Sequence, residues 1–471
     1  MTRKTTRTNR GRASAKAHRK AMATRVATAT VARRYDAAKI DRLTADWIFG
    51  PLSANEEIRG GLKVVRDRAR ELERNDPTAR QYLAMCERNI VGRGFQLRVI
   101  KDESGIAQKF MAWMDSADIT RAMGGPDLQR LIVRSVARDG EVLVRYMRGP
   151  GYADGLALHV LEADYLDHDA QGTSPTVVMG VQIDDATGRP VAYKMFSRHP
   201  GDTGAGMAAR SEMMPASDLL HAYRRERPGQ VRAVSWMASV MGSIRMLHGY
   251  QEAELVAARV ASCKMGFYKI PPGEDFSADG EDASGAPLTD AAPGVFERMP
   301  TGWEFQQFSP DHPTTQYGTF VKDIKRDIAG GLNVAYNNLA NDLEGVSYSS
   351  IRSGTIEERE GWITLQDWFA ACVMRPIYRE WLKMASAAGT ITAEEATLYS
   401  AADKWTGRRW PWVDPQNDIA AKKQEIELGL TAPSELAAEM AKDYAAVQHQ
   451  ISMDDEARKS AGLPPINEKK A

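Results

Sequence analysis

The 471-residue chain predicts an α+β fold, and three observations carry that expectation. Residues 139–196 alternate short segments rich in Val, Leu and Tyr with clusters of Gly, Pro and Asp, the texture of antiparallel strands. On either side of them apolar residues recur at helical spacing. A passage rich in Pro, Gly, Asp and Ser at 263–312 interrupts that spacing, which then resumes.

The first helix falls in EEIRGGLKVVRDRARELERNDP (56–77), where Ile58, Leu62, Val65, Ala69 and Leu72 share a face and Asn75, Asp76 and Pro77 form the stop. Arg66, Arg68 and Arg70 are expected on its solvated side. Strands follow in DGEVLVRYM (139–147), LALHVLEADYL (156–166), TVVMGVQID (176–184) and PVAYKMF (190–196). Ser235 suits the N-cap of the next helix, with Trp236, Val240, Ile244 and Leu247 as its stripe. About 27 residues at 1.5 Å each make a rod of roughly 40 Å.

The interruption at 263–312 is flanked by the β-like pieces MGFYKI and WEFQQF, so it reads as an excursion from a pair of helices. The second helix of the pair lies in TTQYGTFVKDIKRDIAGG (314–331) and ends at Gly330 and Gly331. A last long helix carries Trp362, Leu365, Phe369 and Cys372 on one stripe, and Pro376 is expected to kink it by removing a backbone donor.

Charge divides the chain. Residues 1–34 hold 11 Lys and Arg and no acid, which leaves 51 basic against 62 acidic residues in the remainder. The arm reads as a solvated tail or as a segment that meets nucleic acid or an acidic partner, and its composition also fits an organellar transit peptide. The acidic remainder would repel phosphate. Cys86, Cys263 and Cys372 are too few and too far apart for a disulfide framework or a zinc site, which fits a reducing compartment. FAACVM (369–374) is the longest apolar run, far short of the roughly 20 residues that span a bilayer, so no membrane contact is expected.

The segment GVSYSSIRSG (345–354) concentrates hydroxyl groups between two glycines. It lacks the second glycine of a nucleophile elbow and has no histidine nearby. No Gly-Lys pair occurs in the chain, which removes a phosphate-binding P-loop, and H-E-x-x-H is absent. Asp342, Glu344, Glu357, Glu358 and Glu360 surround the segment and could hold Mg²⁺ in a DNA-processing enzyme if they converge; otherwise they are a charged helix start that favours the dipole.

Seven motifs taken in order are more specific than any one of them. They are RARELERNDPTARQYLAMCERNIVGRGFQL (68–97), RDGEVLVRY (138–146), LEADYLD (161–167), GRPVAY (188–193), HAYRRERPGQVRAVS (221–235), SYSSIRSG (347–354) and VDPQNDIAAKKQEIELGLTAPSE (413–435). Together they resemble the lambda-type portal proteins of tailed bacteriophages over about residues 35–465. The chain departs from the usual pattern at Ala233, where members often have glycine, and at Ser347, where they often have asparagine.

The resemblance implies a wing at 35–234, a stem helix at 235–262, a clip at 263–312 and a second stem helix at 313–334. A tunnel loop at 335–351, a long kinked helix at 352–388 and a crown at 389–471 complete the expected order. It implies a dodecameric ring around double-stranded DNA, without enzymatic activity or cofactor. The implied partners are the terminase large subunit, the major capsid or scaffold protein, and a head-completion adaptor. Assembly would take place in the host cytoplasm. Lys322, Lys325, Arg326, Tyr348, Ser349, Ser350 and Arg352 are the expected channel lining, and Glu274, Asp275, Asp279, Glu281 and Asp282 the expected docking acids of the clip. Trp236, Trp362, Trp368 and Trp381 are candidates for the contact between subunits, core packing being the alternative.

Overall fold

The computed structural model describes residues 50–99, 102–202, 210–262, 266–269, 280–281, 287–288, 304–307, 316–344, 348–410, 415–440 and 444–464. The chain divides into Met1–Ser53 and Ala54–Ala471, and every element below belongs to the second unit.

Helix α1 (Ala54–Asn75) ends where the sequence places its stop, and Asp76 starts α2 (Pro77–Cys86). The Asp76 carboxylate accepts from the backbone of Thr78 (2.8 Å) and Ala79 (2.9 Å), and Pro77 takes the position whose missing N–H costs nothing. A π turn, Glu87–Val91, leads on to β1 (Gln96–Val99), α3 (Ile106–Met114) and α4 (Gly125–Asp139).

The β-rich region forms two antiparallel sheets. One orders as β3 (Leu156–Leu161), β2 (Glu141–Arg148) and β9 (Leu219–Tyr223). The other runs β4 (Gly172–Thr173), β5 (Thr176–Val178), β6 (Val181–Ile183), β7 (Pro190–Phe196) and β8 (Ser211–Pro215). Successive side chains of β2 point to opposite faces. Val142, Val144 and Tyr146 therefore join the core shared with α4 and α3, whereas Leu143 joins Leu161, Val181, Tyr193 and Met195 between the sheets.

Helix α5 (Met241–Ser262) starts six residues after Ser235. Ser235 caps the preceding turn instead: its hydroxyl accepts from the Met237 amide (3.2 Å) and donates to the Ala137 carbonyl (3.2 Å). Beyond α5, β10 (Gly266–Lys269) pairs with β13 (Glu304–Gln307), and β11 (Gly280–Glu281) with β12 (Pro287–Leu288). Of the expected clip acids, Glu281 lies on β11, and Glu274, Asp275, Asp279 and Asp282 fall outside the described residues.

Helices α6 (Tyr317–Gly331), α7 (Tyr336–Ala340) and α8 (Tyr348–Phe369) follow. The break expected at Pro376 takes the form of a π turn, Ala370–Met374, before α9 (Arg375–Ala387). The Arg375 amide reaches back five residues to the Ala370 carbonyl, and this wider turn accommodates a proline that cannot bond the preceding turn. The rest comprises α10 (Ala393–Tyr399), β14 (Asp403–Thr406), α11 (Pro415–Glu427), α12 (Pro433–Glu439) and α13 (Tyr444–Ser460). The antiparallel pairing of β14 with β1 joins the C-terminal part to the region before α3.

Trp381 is fully buried, with Phe110 5.4 Å away edge-on, and its ring nitrogen donates to Asp154 (2.9 Å). Trp362 is buried as well, and Trp236 meets Trp368 edge-on at 5.8 Å. Trp362 and Trp381 are thus buried in the core of their own subunit, whereas Trp236 and Trp368 pack against it and stay half-buried.

Two of the sequence motifs meet at Glu141, and two more join through the ion pairs beside it. This carboxylate, the first residue of β2, is fully buried and accepts two bonds from the Arg232 Nε (2.9 and 2.8 Å) and one from its Nη2 (2.6 Å). Arg66 (2.8 Å) and His221 Nε2 (2.9 Å) complete the shell. Beside it Arg70 bonds Asp139 (2.9 Å) and Asp164 (2.6 Å), and Arg138 bonds Asp139 and Glu73. The expectation of a solvated arginine face on α1 therefore holds for exposed Arg68 and fails for Arg66, which is 2% exposed, and for half-buried Arg70. Arg66 lies four residues after Leu62 and three before Ala69, on the apolar stripe itself.

Candidate nucleic-acid interface

Three of the four basic side chains expected to meet DNA, Lys322, Lys325 and Arg326, lie on α6, whose Val321, Ile328 and Ala329 face the core. Lys322 and Arg326, one turn apart, both lie against the ring of Tyr336, at 5.8 and 5.6 Å from its centroid. Neither charge is unbalanced. Lys322 pairs with Asp342 at 3.1 Å and Arg326 with Asp323 at 2.8 Å, while Lys325 is half-buried between them in sequence.

Asp342 is the fixed point of this cluster. The Tyr336 hydroxyl donates to it (2.7 Å), the Glu344 amide donates to it (3.0 Å), and with Lys322 these bonds hold its carboxyl down at about 2. Burial and the Asp342 bond push the Tyr336 phenol up to about 12, so it stays a donor at neutral pH. Asn341, in the left-handed region at φ 52°, makes the turn that brings Asp342 back to α6.

The structure does not bring the five acids together. Glu357 and Glu360 are exposed on α8, and among the described residues neither belongs to a cluster close enough to hold an ion. Glu358 is half-buried, accepts from Trp362 Nε1 (3.1 Å) and from Asn338, and is pushed up by burial against those bonds. Among the described residues the only cluster close enough to hold an ion is Glu162, Asp164 and His199. Arg70 already bonds both of its acids, at 3.4 and 2.6 Å, so guanidinium takes the cationic role there. Tyr348, Ser349, Ser350 and Arg352 fall within the first five residues of α8, which starts four residues before the helix expected at 352; their side chains lie outside the described residues.

A second basic place was not foreseen. A cleft of about 310 Å³ opens between α2 with its π turn, α7, α8 and the chain after β14. Arg359 and Arg408 each lie 5.7 Å from the centroid of the Trp410 ring, and Arg88 stands at the edge. Arg408 donates to the Arg88 carbonyl (3.0 Å) and to Asn89 Oδ1 (2.7 Å), and Arg88 to the Ala84 carbonyl. The three arginines come from positions 88, 359 and 408, so no sequence window contains them.

The family described as phage portal protein, lambda family, matches residues 41–366. The chain is 30% identical over 461 residues to a probable portal protein of Halomonas phage phiHAP-1, covering 92% of this chain and 88% of that protein. It is 22% identical to portal protein B of Escherichia phage lambda, over 62% of this chain and 61% of that one. Among solved structures it is similar to a chain in the neck of a native gene transfer agent particle computed with C12 symmetry. That match has 13% identity and a TM-score of 0.42, and covers 84% of this chain and 95% of the other.

Proposed function

We infer, for a chain that belongs to the lambda family of phage portal proteins, that twelve copies close into a ring at one vertex of the capsid and enclose the passage of double-stranded DNA. The family is structural, not enzymatic. The observation that carries the reading is the match to residues 41–366, which spans both sheets, the excursion after α5, and α6. In this reading residues 35–234 are the wing, 235–262 and 313–334 the stem, 335–351 the tunnel loop, 352–388 the kinked helix and 389–471 the crown. The clip at 263–312 receives the terminase large subunit during packaging and the head-completion adaptor afterwards, and the capsid or scaffold protein surrounds the wing. Electron micrographs of the purified chain are expected to show rings, and purified virions to contain the chain. A monomer at high concentration that is also missing from virions would refute the assignment.

A conduit has to confine a polyanion without holding it. Affinity for duplex grows with each phosphate neutralised, by about 0.9 in the slope of log K against log salt per contact, so a ring of strongly basic linings would trap its cargo. Lys322 and Arg326, each tied to an aspartate, offer attenuated charge to a passing backbone. The Arg326–Asp323 pair is exposed on both sides and contributes roughly 0–1 kcal/mol to stability. Lys325→Glu with Arg326→Glu is therefore expected to leave rings intact, lower packaging or retention of DNA, and flatten the salt slope of binding by about 0.9 per lost contact. Unchanged packaging, retention and slope would remove both residues from the lining.

A further inference from the structure

Among the described residues the three guanidiniums of the cleft bond no carboxylate, unlike several buried and half-buried arginines elsewhere in this fold. Arg66, Arg70, Arg134, Arg138, Arg148 and Arg232 all pair with carboxylates. Among the described residues Arg88 and Arg408 bond only carbonyl oxygens, and the Nε of Arg359 is buried without a hydrogen-bond partner. The one carboxylate that lines the cleft, Glu358, is committed to Trp362 and Asn338. Burial lowers both Arg359 and Arg408, Arg408 further through its neighbours Arg88 and Arg359, while Asp418 and Glu358 offset part of the effect at Arg359. Among the described residues, then, no carboxylate bonds the guanidiniums of Arg88, Arg359 and Arg408.

We propose that the cleft receives an acidic side chain of a neighbouring copy of this chain when the ring closes. The occupant follows from shape and charge. A duplex presents its phosphates on a broad convex cylinder and touches rims, whereas one Asp or Glu side chain enters a cavity of this size. A head-to-tail ring requires each subunit to carry two different complementary faces, and outside the first 34 residues the chain has 62 acids against 51 bases to supply the other face. Guanidinium offers a fork of donors that a carboxylate accepts in pairs. The inference rests on the ring reading above.

The test compares the full chain with Arg359→Glu, and with Arg359→Lys as the conservative variant. Arg359 is chosen because no hydrogen bond among the described residues depends on it, and circular dichroism checks that each variant is folded. By mass photometry, Arg359→Glu is expected to raise the concentration at which rings form by about 10-fold or more, as loss of a desolvated charge pair does, while Arg359→Lys forms rings nearly as the parent does. Carbodiimide treatment of Arg359→Lys rings mixed from light and ¹⁵N-labelled subunits is expected to join the new amine to an Asp or Glu of the other isotope. Rings unaffected by Arg359→Glu would overturn the proposal and leave the ring reading standing. Cross-links only to Glu358 or Asp418 of the same subunit would overturn it as well. Normal rings with weakened DNA binding would assign the cleft to phosphate instead, and a parent chain that forms no ring would end both readings.

Discussion

Glu141→Ala is expected to destabilise the subunit by about 4 kcal/mol, or to leave no soluble protein at all. Breaking a buried ion pair typically costs about 3–5 kcal/mol, because the remaining charge is left without compensation. Here two guanidiniums, Arg232 at 0% and Arg66 at 2% exposure, would lose the acid they share. Burial by itself would raise the Glu141 carboxyl, but the charge and bonds of Arg232 and the bond from His221 reverse that and hold it well below the usual carboxylate range. Urea unfolding followed by circular dichroism measures the loss, and a cost under about 1 kcal/mol would show that the cluster is not what holds β2 in place. Glu141→Leu combined with Arg232→Met should recover part of the stability, since matched apolar groups can replace a buried pair.

The same cluster fixes the sign of a pH effect. Burial lowers His221 by more than the Glu141 bond raises it, so the folded chain keeps the imidazole neutral where the unfolded chain binds a proton, near pH 6.5. Stability then falls as the pH drops through that value, because the unfolded state takes up the proton and the folded state does not. Glu141 adds a further loss below about pH 4.3, where the unfolded carboxyl is protonated first. A His221→Gln variant is expected to flatten the decline between pH 7.5 and 5.5.

Much of the order of elements could be read before the fold was known, because each was encoded locally. The stop at Asp76 and Pro77, the alternation of β2, and the return to helical spacing at Tyr317 are properties of short windows. What could not be read was nonlocal. The spacing of α1 puts Arg66 on the apolar stripe, but only the buried Glu141 brought up by β2 gives its charge a partner there. The pairing of β1 with β14 joins residues some 300 positions apart, and the cleft assembles arginines from three separate segments. At the expected lining, the residue identities pointed to α6, but the counter-charges at Asp323 and Asp342 required its geometry.

Gly140→Ala is the second substitution expected to be severe, with a cost of about 2–5 kcal/mol read from thermal or urea unfolding. Gly140 ends α4 in the left-handed region at φ 91°, and its amide bonds the Val136 carbonyl at 2.8 Å. A side chain in that region costs roughly 1–2 kcal/mol before any contact is considered. The contacts are worse: an added Cβ would stand 2.4 Å from the Val234 carbonyl carbon and 2.5 Å from the Ala233 oxygen, which are backbone atoms with no rotamer to change. Overpacking of this kind adds typically about 1–3 kcal/mol. Relief would require residues 233–234 to retreat, and they connect Arg232, bound to Glu141, with Ser235, bound to the Ala137 carbonyl. The strain would therefore be shared with the ion cluster, so Gly140→Ala combined with Glu141→Ala should cost less than the sum of the two singles. Additive costs would mean that the two sites are independent, and a Gly140→Ala chain as stable as the parent would show that the approach of this turn to β2 is not what seats the chain entering α5.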